Sequence, residues 1–168
     1  QAGAIHVRSE VCHVESAGAH VVGARVRLRN PATSGRKLTL YVALRPLGPA
    51  GFAIRQMNAA GTDALLVDGK PALVATRHAT RAGVVDTDTV GALAMKGQVP
   101  PALTAASGAG NCSGSLVYDL NLAAGESIQL DFVCPVLPGR RASRHRWVDL
   151  GQDALVDAAP LYDPNGLL

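Results

Sequence analysis

The run AHVVGARVRLRNPATSGRKLTLYVALRP, Ala19 to Pro46, decides the fold. Val22, Ala24, Val26 and Leu28 fall on one side of an extended chain, and Arg25, Arg27 and Arg29 on the other. After a short break the pattern resumes. Leu38, Leu40, Val42 and Leu44 line one face, and Lys37, Thr39 and Tyr41 the opposite one. Successive side chains of a β-strand point to opposite faces, so this period of two predicts two long, half-buried strands in antiparallel sheet. The connection Asn30 to Arg36 carries Asn-Pro and Ser-Gly, both turn formers.

Working outward, Ala4 to Glu15 reads as a first strand with Ile5, Val7, Ser9 and Val11 inward, and Ser16-Ala17-Gly18 as the turn after it. Leu47 to Gly51 is a loop after Pro46, and Phe52 to Met57 a short strand. The sharpest hairpin signal is ALLVDGKPALVA, Ala64 to Ala75. There Asp68-Gly69 separates two apolar runs and tolerates the positive φ of a type I′ turn. From Arg77 to Asn111 the alternation fails. Ala82 to Asp88 offers one short strand, Asp88 to Gly97 one or two helical turns, and Val99 to Asn111 only irregular chain. Regular pattern returns in SLVYDLNL and SIQLDFVC, read as a last strand pair turning at Gly125. Leu116, Tyr118, Leu120, Leu122, Ile128, Leu130, Phe132 and Cys134 are its inward set.

Many short strands with almost no helix predict an all-β protein: an antiparallel β-sandwich with one long irregular loop insertion. The expected division is a sandwich domain over residues 1–147, with the insertion at 77–111, and an exit segment over 148–168. The start at Gln1, without a methionine, and the stop at DPNGLL read as the ends of an excised domain or a proteolytic remnant.

Composition narrows the function. With 48% hydrophobic and 17% charged residues the chain can bury a real core. No apolar run approaches the roughly 20 residues of a membrane helix, so no membrane partner is expected. The net charge of +3 is spread along the chain apart from a cluster near Arg140, which argues against nucleic acid. Abundant alanine and glycine, with arginine preferred to lysine, resemble the product of a GC-rich bacterial genome.

The chemistry-bearing residues do not converge on a reaction. Cys12, Cys112 and Cys134 lack the C-x-x-C spacing of a zinc framework. Cys112 and Cys134 flank the last predicted hairpin and offer either a disulfide or two small core residues. A secreted or periplasmic location is therefore expected over a cytoplasmic one. His6, His13 and His20 are spaced by seven and alternate faces, so no metal site and no cofactor are expected. GNCSG, Gly110 to Gly114, has nucleophile-elbow spacing but the wrong flanks, a loop before it and a strand after it. Asp86 and Asp88 share parity roughly 6–7 Å apart on one strand. They would approach a sugar from the same side, where an acid and a base must flank the bond. They remain candidates for accepting hydrogen bonds from a sugar. Only 4% of residues are aromatic. Tyr41 and Trp147 are the candidate platforms for stacking a sugar ring, and Arg77 and His78 open the irregular segment as further candidate ligand groups.

The runs RNPATSGRKLTLYVALRPLGPAG, DALLVDGKPALVA, SLVYDLNLAAGESIQLDFVCPVLPGR and HRW resemble the β-sandwich module of large bacterial glycoside hydrolases. The catalytic part of those enzymes is an (α/α)6 barrel, as in glycogen-debranching enzymes and related glucosidases. The likeness covers most of Val22 to Trp147 and consists of strand and turn phrases. It implies a non-catalytic accessory domain that supports or binds carbohydrate, with carbohydrate or an adjacent catalytic domain as partner. It implies that the loop 77–111 reaches toward the barrel, and it carries over no catalytic residue. The competing readings are an independent secreted carbohydrate-binding or adhesion module and, third, a stand-alone glycan-active enzyme.

Overall fold

The computed structural model describes residues 4–16, 19–46 and 53–135. Among them, ten strands form two antiparallel sheets, in a sandwich-like all-β fold with one short helix. The strands are β1 (His6–Ser16), β2 (Ala19–Arg29), β3 (Arg36–Leu44), β4 (Gln56–Ala60) and β5 (Ala64–Val67). They continue with β6 (Lys70–Ala75), β7 (Arg81–Val85), β8 (Thr104–Ala106), β9 (Ser113–Leu122) and β10 (Ser127–Pro135). The helix α1 spans Val90–Met95. The large sheet has the order β1-β2-β10-β6-β5-β4-β8, and the small sheet β3-β9-β7.

The core lies between the sheets and is built from the faces that alternation selects. Leu28, Leu130, Phe132, Leu73, Leu65 and Met57 come from the large sheet, and Leu116, Tyr118, Leu120, Leu122 and Val84 from the small one. Tyr118 and Phe132 meet edge to face across the sandwich, with ring centroids 6.0 Å apart and planes at 76°. The Tyr118 hydroxyl donates to the Arg77 carbonyl at 3.0 Å, and burial pushes its pKa up to about 12. In β5 and β6 the Asp68-Gly69 turn takes positive φ at both residues (48° and 77°), as the hairpin signal requires.

Two strand pairs expected from the sequence as neighbours are split between the sheets, and this corrects the expected pairing. β9 and β10 belong to different sheets, as do β2 and β3. Both connections are arches over the sandwich edge. β2 pairs with β10 (Val26 opposite Leu130), and β3 pairs with β9 (Leu40 opposite Tyr118). Asn30 binds the two arches together. Fully buried, its Nδ2 lies within hydrogen-bond distance of the carbonyls of Ser34 (2.8 Å), Ala123 (2.9 Å) and Leu122 (3.2 Å). Its backbone N–H donates to the Glu126 carbonyl at 2.8 Å, and its Oδ1 accepts from the Ala32 N–H at 3.2 Å. A buried polar side chain is tolerated where it is this fully satisfied.

The first strand also differs from expectation in its cover. Val7, Ser9 and Val11 lie opposite Leu28, Val26 and Ala24, so they do occupy the core-side face. Yet Val7 is 63% and Val11 72% exposed. β1 is an edge strand of the wide sheet. The short strand expected from Phe52 begins later, at Gln56. Its predecessor Ile54 instead makes an isolated parallel bridge to Asn111. The turn at 17–18, the loop at 47–51 and the exit segment 148–168 fall outside the described residues.

The segment 77–111 is more than an insertion. β7 completes the small sheet, and β8 adds an edge to the large one. Between them, residues 86–103 lie over one half of the outer face of the small sheet. The Ser113 hydroxyl donates to the Thr87 carbonyl at 2.6 Å and accepts from the Val90 N–H at 3.3 Å. At Gly83 a Cβ would fall 2.0 Å from the Pro100 carbonyl oxygen, so the two backbones touch. Ser113, Ser115 and Val117, outward by parity, are therefore fully buried.

Candidate functional site

What residues 86–103 leave uncovered is the other half of the outer face of the small sheet. There β3 and β9 run side by side, with Lys37 opposite Asn121, Thr39 opposite Asp119 and Tyr41 opposite Val117. On the far side β7 sets Arg81 opposite the same Val117. Directly paired residues share a face, so one open surface presents Lys37, Thr39, Tyr41, Arg81, Asp119 and Asn121 together. An open groove of about 480 Å³ is lined by Lys37, Thr39, Asp119 and Asn121, with the strand segments of Leu38 and Leu120 as its floor.

Asp119 is the centre of this surface. Arg81 donates from Nε to Oδ2 at 3.0 Å and from Nη2 to Oδ1 at 2.8 Å, and the Thr39 hydroxyl donates to Oδ1 at 2.9 Å. The Arg81 guanidinium first, and the Thr39 hydroxyl second, hold the Asp119 carboxyl below the usual carboxylate range. The backbone N–H of Asp119 donates to the Thr80 hydroxyl at 3.0 Å. The carboxylate is thus fixed in position and ionised, and it keeps lone pairs for another donor. Asn121 adds both donor and acceptor, Lys37 three donors, and Tyr41, half-buried one pair further along, an aromatic ring. A fixed carboxylate with further donors and acceptors on the same face as a ring suits a polyhydroxylated ligand.

Of the described residues singled out as candidate ligand groups from the sequence, Tyr41 lies on the same face as this groove, one pair beyond Thr39 and Asp119. Asp88 is engaged elsewhere. Arg45, just beyond β3, grips it from Nε (2.7 Å) and Nη2 (2.8 Å), and this clasp ties the segment before α1 to the end of β3. The Arg45 guanidinium holds the Asp88 carboxyl below its ordinary value. Asp86 and Asp88 follow the end of β7 at Val85 instead of sharing a strand, and Asp86 is exposed. Arg77 is exposed, and its carbonyl serves Tyr118. His78 Nδ1 is hydrogen-bonded to Asp63 Oδ1 in the turn before β5. Trp147 lies outside the described residues.

Cys112 and Cys134 are separate thiols. Cys112 is fully buried and donates to the Arg55 carbonyl at 3.5 Å, which is the packing of a core residue; burial pushes both thiols up. In the arginine stripe, Arg25 is paired across the sheet with Asp131 (2.7 and 3.2 Å) and Arg27 with Gln129 (3.1 Å). Among the described residues no three His, Cys, Asp or Glu side chains are grouped to hold a metal ion, and no helix is long and apolar enough to cross a membrane.

Sequence reasoning passed over Asp119, Arg81 and Asn121. A signal for two of them was present, because Asp119 and Asn121 alternate with Tyr118, Leu120 and Leu122 as polar outward positions. That β9 lies beside β3 was not readable. Compared with known protein families and with curated proteins, the chain matches no family model and no curated sequence.

Proposed function

We propose that this chain is a non-catalytic β-sandwich module of a carbohydrate-active enzyme, and that it binds carbohydrate on the open face of its small sheet. The observation that carries this reading is the Asp119 cluster. It is a carboxylate fixed by Arg81 and Thr39 in the lining of an open groove, one residue pair from Tyr41 along the same face. A sugar hydroxyl donates to Asp119 or Asn121 and accepts from Lys37 or Arg81, while Tyr41 offers the ring against which a sugar face packs. The sequence resemblance to sandwich domains of glycoside hydrolases supports the same ligand class. The fold by itself does not, since sandwiches host many functions.

The test is affinity electrophoresis of the purified chain through gels containing soluble α- and β-glucans, mannans and xylans. The account expects retardation by at least one polysaccharide, and its loss in Asp119→Ala. Unretarded migration in every gel, or retardation that Asp119→Ala leaves intact, contradicts it.

A further inference from the structure

The exposed edge of the large sheet carries its own pattern, unrelated to the groove. β1 pairs with β2 through eleven consecutive residues without a bulge, and it contains no proline. Natural sheets protect long, regular edges with prolines, bulges or inward-pointing charges, because unpaired strand groups recruit another strand. Here the core-side face of the edge instead shows Val7 and Val11, exposed at 63% and 72%.

The segment Val7-Arg8-Ser9-Glu10-Val11 is chemically symmetric about Ser9. Let a second copy approach antiparallel, with a two-fold axis perpendicular to the sheet through Ser9. Val7 then stands opposite the partner's Val11, and Arg8 opposite the partner's Glu10. The two-fold repeats both pairs, with valines on the core-side face and charges on the other. Sliding by two residues in either direction places Arg8 opposite the partner's Arg8 or Glu10 opposite the partner's Glu10. Sliding by one turns the valine faces to opposite sides of the sheet. Both ion pairs and both valine pairs therefore form in this register and not in its neighbours.

Glu10 adds a second observation. Arg8 Nε stands 2.6 Å from Glu10 Oε1 and Arg27 Nη1 3.9 Å away, but neither carboxylate oxygen accepts a hydrogen bond, although both are buried. The carboxylate has no aligned donor from its own chain, and a donor from a second copy reaches it once the side chains that cover it turn aside. We propose that β1 is the interface of a symmetric homodimer, paired edge to edge with a second copy of this chain about a two-fold axis at Ser9, with the partner's Arg8 as the missing donor to Glu10.

The experiment is sedimentation equilibrium of the full chain, with charge-swap variants and a cross-link. The wild type is expected at twice the 17.3 kDa chain mass. Glu10→Arg should dissociate it at least tenfold more readily, and Arg8→Glu combined with Glu10→Arg should restore the dimer. That recovery is not produced by a variant that merely misfolds. In a Cys12→Ser background, Ser9→Cys should form a disulfide-linked dimer on mild oxidation, because directly opposite strand residues lie within disulfide reach. Val7→Cys alone should not. A wild-type monomer overturns the proposal. If its β1 amides nevertheless exchange slowly with solvent, the edge is occupied by another part of this chain. A dimer indifferent to the charge swaps and giving no Ser9 cross-link also overturns it, because the copies then meet elsewhere.

Discussion

Arg81 on β7 clasps Asp119 on β9 through two parallel hydrogen bonds of 3.0 and 2.8 Å. Both side chains are close to half exposed, so this geometry contributes little to stability against solvent screening. Its consequence is positional, since it fixes a carboxylate in the lining of an open groove. Arg81→Ala should leave the melting temperature nearly unchanged while weakening glycan binding roughly tenfold, the scale of one hydrogen bond to a charged group. Calorimetric titration beside a thermal scan separates the two effects. A large loss of melting temperature would make the pair a structural clasp instead.

The Arg45–Asp88 clasp joins the segment before α1 to the end of β3, and it should reveal itself through pH. Arg45 holds the Asp88 pKa below its ordinary 3.8. A carboxylate depressed in the folded state contributes stability that is fully present above its unfolded pKa and lost as pH falls through the folded value. The melting-temperature difference between wild type and Asp88→Asn should therefore be positive at neutral pH and close toward zero below that ordinary value. A difference that stays constant into acid would contradict the assignment.

Asn30 should be the most sensitive polar residue of the fold. Asn30→Ala leaves the carbonyls of Leu122 and Ala123 without their side-chain donor at the meeting of two arches. The expected cost is about 2–4 kcal/mol in denaturant unfolding. Asn30→Asp should be worse, because it turns a carboxylate toward carbonyl oxygens. A loss under about 1 kcal/mol in either variant would show that the arches are held by other means.

Gly83 should not tolerate a side chain. Its Cβ would enter the Pro100 carbonyl, so Gly83→Ala must lift residues 86–103 from the small sheet. The expected cost is about 1–3 kcal/mol. The Val84 amide, which donates to the Ala102 carbonyl at 2.8 Å, should exchange faster with solvent. Unchanged protection at Val84 would mean that the contact is relieved locally.

These residues also mark what was legible in the sequence. Period-two alternation predicted the faces of β2, β3, β9 and β10 correctly, because each core layer repeats every second residue. The Asp68-Gly69 hairpin was legible because positive φ at adjacent positions demands particular residues. Pairing was not legible. A hairpin and an arch can follow the same alternation and the same Pro- or Gly-containing break, and the distinction lies in Asn30, whose partners stand 92 and 93 residues away. Cover was not legible either. Val7 and Val11 face the core side and yet are exposed, since periodicity reports a face and says nothing of what lies across from it. The groove escaped for the same reason as the pairing. Thr39 and Arg81 reach Asp119 across 80 and 38 positions, whereas Asp86 and Asp88 drew attention by being close in sequence.

The most direct test of carbohydrate binding on the small sheet is a titration of the 15N-labelled chain with a soluble oligosaccharide of the glycan that retards it, or with a panel of oligosaccharides if none does. The account predicts saturable amide shifts confined to Lys37–Tyr41, Arg81 and Asp119–Asn121, absent in Asp119→Ala. No shifts with any oligosaccharide, or shifts centred on β1 or on the turn holding Asp63 and His78, would contradict it.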